Sequence, residues 1–87
     1  MGLTVEELGL RPGDVVRWRP RDGARWVEGT VIGRERDGSI GVRDPQGRAR
    51  SLPLERLEAR TSGPRGARTW EPATERAVRV EQLGLFG

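Results

Sequence analysis

The chain has 87 residues, which allows one small domain that buries roughly 60% of its unfolded surface. Hydrophobic residues make up 33% of it and charged residues 33%, enough for about 50 to 60 packed residues with flexible ends. There is no Cys, His or Tyr, and all 16 basic residues are Arg, so zinc sites, disulfides, thiol or imidazole catalysis and Schiff bases are excluded.

Thr4-Val5-Glu6-Glu7 has the form of a capping box, a hydroxyl cap followed three residues later by a carboxylate. It predicts a single helical turn through Leu8, ended by Gly9, with Val5 and Leu8 facing one way to plug the domain. From Gly13 the period changes to two. Residues 14–19 read as a strand with Val16 and Trp18 on one face and Arg17 and Arg19 on the other. Asp22-Gly23 is a hairpin turn, and residues 26–34 form a longer strand that Gly29 and Gly33 allow to bend. Asp37-Gly38 makes the next turn, residues 39–43 the third strand with Ile40 and Val42 inward, and Asp44-Pro45-Gln46-Gly47 another turn. Residues 48–52 give a fourth strand, residues 53–56 one tight helical turn, and residues 57–60 a short closing strand. Five short strands with tight turns and one late helical turn predict a mainly β fold, a small closed barrel in the SH3-like order.

Residues 61–68 hold two Gly and a Pro and nothing apolar larger than Ala, so they read as a linker. The remainder regains Trp70, Val78, Val80, Leu83, Leu85 and Phe86, but its periodicity is mixed and Trp70 is assigned to no element. The expected organisation is a barrel with its helical turn over residues 1–60, a linker and flexible tail over 61–81, and a peptide motif over 82–86.

Across residues 13–57 the chain resembles Tudor-like members of the SH3-like barrels. The resemblance rests on Gly13-Asp14-Val15-Val16, Asp22-Gly23, Trp26, Val31, Asp44, Gly47 and Leu57. Tudor domains that read methylated Lys or Arg surround the cation with aromatic rings. Here Val27, Val42 and Pro45 stand where the family often has aromatics, and Trp18 and Trp26 alone do not enclose a cation. The chain also resembles barrels of translation and transcription factors that touch RNA or DNA, which need no cage.

Gln82-Leu83-Gly84-Leu85-Phe86 resembles the pentapeptide Gln-Leu-(Ser/Asp)-Leu-Phe by which bacterial polymerases, mismatch-repair proteins and other replication factors bind the DNA polymerase sliding clamp. The resemblance implies that Leu85 and Phe86 fill an apolar pocket, Gln82 sets register through its amide, and Leu83 adds a lesser contact. Gly84 departs from the pattern, and its backbone freedom weakens binding. The alternative is that Val80, Leu83, Leu85 and Phe86 fold back to cap the barrel.

Residues 10–60 carry 12 Arg against 8 Asp and Glu, so the basic excess of the chain, +3 overall, sits on the barrel. Arg17, Arg19, Arg21 and Arg25 lie on the first strand and its loop, and Arg48 and Arg50 flank the third turn. Such a stripe suits weak, salt-sensitive, sequence-independent phosphate contacts with DNA or RNA. A solvated face rich in Arg through codon bias explains the same residues. No Ser has a His or Lys to activate it and no two carboxylates suggest a buried acid–base pair, so an enzyme is not expected, nor a metal or cofactor. No apolar run has the length of a signal peptide's core or a membrane span, and a cytoplasmic monomer is the expectation. These readings converge on a non-catalytic adapter of bacterial DNA replication or repair that docks on the sliding clamp. The alternatives are a small nucleic-acid-binding barrel and a protein-interaction barrel.

Overall fold

Alternating apolar residues and glycine-containing turns build a single antiparallel sheet. The computed structural model describes residues 4–62, 64–66 and 68–82. After a 3-10 turn at Glu6–Leu8 come strands β1 (Val15–Trp18), β2 (Val27–Arg34), β3 (Ile40–Arg43) and β4 (Ala49–Leu52). A second 3-10 turn, Leu54–Arg56, leads into β5 (Glu58–Ser62), β6 (Arg68–Pro72) and helix α1 (Ala73–Gln82). The sheet order is β4-β3-β2-β1-β5-β6.

The first helical turn forms where expected, but as a 3-10 turn whose N-cap is Val5 rather than Thr4. Glu7 N–H donates to Thr4 Oγ1 over a long 3.4 Å, Gly9 closes the turn at φ +79°, and Val5 and Leu8 are buried. The register then sorts the side chains, because residues directly opposite one another share a face of the sheet. Val16 pairs with Gly29 and Ala59, Trp18 with Val27, Val31 with Val42 and Ile40 with Leu52. That inner face, with Leu10, Leu57 and the 3-10 turn residues, forms the hydrophobic core. Gly29 has a specific duty: a Cβ there would collide with the Arg43 carbonyl and lie 2.7 Å from Cη2 of Trp18. Its missing side chain is the space the indole occupies. The register shift between Val31 and Gly33 supplies the bend expected of β2 and leaves Ile32 exposed.

Two expectations are corrected. The sheet has six strands rather than five, and among the described residues no pairing joins β4 to β5 or β6, so it stays open. The chain turns after Ser62 and returns along β5, so β6 covers the edge that a closed barrel would turn toward β4. Residues 61–81, expected as linker and tail, hold the end of β5, all of β6 and most of α1. Pro64–Gly66 makes the turn, with Arg65 at φ +61° and Gly66 at +74°. Helix α1 then packs against both 3-10 turns. Ala73 is fully buried and its N–H donates to the Leu57 carbonyl at 3.0 Å. Arg76 fastens the helix to the sheet, reaching Glu71 Oε1 at 2.7 Å and the Arg60 carbonyl at 3.0 Å.

Candidate functional site

The outer face of the sheet carries what the inner face excludes. Arg17 of β1 stands directly opposite Glu28 of β2 and Glu58 of β5, and Arg60 of β5 stands opposite Trp70 of β6. Ser62 pairs with Arg68, which adds a further arginine to this face. Trp26 immediately precedes β2 and is 36% exposed.

These side chains stack. The guanidinium carbon of Arg17 lies 4.1 Å from the Trp26 ring centre and 4.6 Å from that of Trp70. Arg19 stands 4.4 Å from the Trp26 ring, and Arg60 5.2 Å from Trp70. The result is a continuous ladder, Arg19–Trp26–Arg17–Trp70–Arg60, in which cations alternate with π faces. Carboxylates brace two of its three arginines: Arg17 Nη2 is 2.6 Å from Glu58 Oε1, and Arg60 Nη2 is 3.0 Å from Glu28 Oε1. Arg56 donates to the carbonyls of Arg19 and Pro20, at 3.1 and 3.3 Å, and so fixes the start of the β1–β2 loop. Among the described residues, no carboxylate lies within ion-pair distance of Arg19, Arg21, Arg25 or Arg68.

The six arginines singled out from the sequence do not form one stripe. Arg17 and Arg19 belong to the ladder, and Arg21 and Arg25 are exposed in the loop that leads to Trp26. Arg48 and Arg50 lie toward the other edge of the sheet order, and Arg50 stands opposite core residue Val42, so its strand position has the opposite facing to Arg17. Arg50 is committed locally. Its Nε donates to Asp44 Oδ2 at 2.9 Å, while Asp44 Oδ1 accepts the backbone N–H groups of Gln46 and Arg48. Those contacts, Arg50 first and the Arg48 N–H next, hold the almost fully buried Asp44 carboxyl below its ordinary range.

The sequence reading missed Trp70, Arg60 and Arg68 as members of this face. The signal was the lone tryptophan after a Gly/Pro stretch, which marks a strand only once β6 is known to pair with β5. Trp18, weighed beside Trp26 for an aromatic cage, is buried in the core. Of the motif residues, Gln82 falls in α1 by its backbone, whereas Leu83, Leu85 and Phe86 lie outside the described residues.

Chemically, the face offers stacking planes and positive charge. Among the described residues no cluster of three His, Cys, Asp or Glu is placed to hold a metal ion, and no helix is long and apolar enough to cross a membrane. No protein-family model, curated protein or solved structure matches the chain.

Proposed function

We propose that this protein is a non-catalytic adapter of bacterial DNA replication or repair that docks on the DNA polymerase sliding clamp through Gln82, Leu83, Leu85 and Phe86. The observation that carries the reading is the pentapeptide itself, which agrees with the clamp-binding pattern at four of its five positions. A Leu-Phe pair seated in an apolar pocket supplies most of the affinity, and the glutamine amide sets the register.

Two features of the fold bear on how such docking would work. The buried core residues described run from Val5 to Ala73, and α1 leads from them to Gln82, so the motif is joined to a formed domain by a helix. The five strands in the order β4-β3-β2-β1-β5, with a 3-10 turn before the last, are consistent with an SH3-like, Tudor-like unit to which β6 and α1 are appended. Docking would hold that unit beside the clamp and raise its effective concentration for whatever the clamp encircles or recruits.

Competition tests it. A synthetic peptide carrying Gln-Leu-Ser-Leu-Phe, added to the full-length protein mixed with a bacterial sliding clamp, should displace the protein from the complex. A complex that persists at saturating peptide, or that never forms, overturns the reading.

A further inference from the structure

We propose that the outer face of the sheet binds single-stranded DNA, with a base stacked on Trp26 and backbone phosphates held by Arg19, Arg21, Arg25 and Arg68. Stacking is the first argument. Trp26 is partly exposed one rung in from the end of the ladder, and the two arginines over its ring are held very differently. Arg17 is fixed by a second tryptophan and by Glu58, whereas among the described residues the Arg19 side chain has only Trp26 as a partner. Arg19 is therefore the exchangeable rung. A base takes its place on the indole, and the released guanidinium moves to a phosphate.

Charge is the second argument. Glu28 and Glu58 are already matched by Arg60 and Arg17, so the acids on this face do not oppose the remaining arginines. The loop that carries Arg21 and Arg25 contains one acid, Asp22. What is left is a π face flanked by an excess of guanidiniums, complementary to a polyanion with accessible base faces.

A duplex does not fit as well. Its bases are stacked on one another and offer only edges in the grooves, which would leave the indole without a partner. The choice of DNA over RNA rests on the proposed clamp docking; the stacking chemistry does not depend on it.

Fluorescence anisotropy decides the matter, with the full-length protein titrated into a labelled oligothymidine strand, an oligouridine RNA and a duplex of equal length. Binding to the single DNA strand should be the tightest and should weaken steeply between about 50 and 200 mM salt. Trp26→Ala should weaken it at least about fivefold. Arg21→Gln/Arg25→Gln, in exposed loop positions, should weaken binding and flatten the salt dependence with an unchanged circular dichroism spectrum. If Trp26→Ala does not fold, that loop variant decides alone. No binding at low salt, tighter binding of duplex or RNA, or undiminished binding by the folded variants would overturn the proposal. Clamp affinity is measured without DNA, so it stands or falls separately.

Discussion

The guanidinium carbon of Arg17 sits 4.1 Å from the centre of the Trp26 ring, and its Nη2 reaches Glu58 at 2.6 Å. One side chain thus joins β1, the start of β2 and β5 on the outer face, and its contact with Trp70 adds β6. Two cation–π contacts and a half-buried ion pair together are worth about 1–3 kcal/mol. Arg17→Ala should lower unfolding free energy by that amount in urea titration. Arg17→Lys should recover less than half of it, because an ammonium keeps the charge but loses the plane that fills the gap between two rings.

Gly29 and Gly33 both lie in β2 but should respond differently to alanine. At Gly29 the new methyl meets the Trp18 indole and the Arg43 carbonyl, both held by the sheet, and the cost should be about 1–3 kcal/mol or more. At Gly33 a Cβ meets nothing within 4 Å, so the change should stay within about 0.5 kcal/mol. Paired denaturation curves separate the two roles.

Acid should unfold the protein through specific carboxyls. Asp44 is held low by Arg50 and the Arg48 N–H. At Glu71 burial pushes the carboxyl up, but hydrogen bonds from Arg79 and Arg76 outweigh it and leave the net shift downward. Both groups are more acidic folded than unfolded, so their stabilisation is present above the ordinary carboxylate range, near pH 4. It is lost as pH falls through the depressed folded values. Thermal midpoints should therefore drop below about pH 4, and Asp44→Asn should lower the neutral-pH midpoint while making the acid limb shallower.

Removing the residues after Ser62 should cost the fold much of its stability. Ala73 closes the core, and Arg76 ties α1 to Glu71 and to the Arg60 carbonyl. A chain ending at Ser62 should melt well below the full-length protein or fail to unfold cooperatively in calorimetry. An unchanged melting curve would mean that β6 and α1 are accessories.

The same segment marks where the sequence stops being legible. The first five strands and both 3-10 turns were readable because Val16, Trp18, Val31, Ile40 and Val42 alternate and Gly23, Gly38 and Gly47 mark the turns. In β6 the inner positions, Thr69 and Glu71, are polar, and Glu71 is tolerated because Arg76 and Arg79 of α1 pair with it. The helix residues that meet the core, buried Ala73 and half-buried Ala77, are small, so no large apolar side chain marks the inner stripe. Gly63-Pro64-Arg65-Gly66 reads as a breaker, although residues 64–66 form the turn of a β5–β6 hairpin. The ladder was hidden for the same reason: Arg17 and Trp26 are visible as residues, but Trp70 joins them only through the pairing of β6.

Clamp docking is the central claim, and calorimetric titration of the full-length protein into a bacterial sliding clamp tests it most directly when run beside Leu85→Ala/Phe86→Ala. Saturable binding by the wild type, lost or weakened at least about thirtyfold in the double variant, is the predicted result. Absence of wild-type binding, or equal binding by the variant, would contradict it.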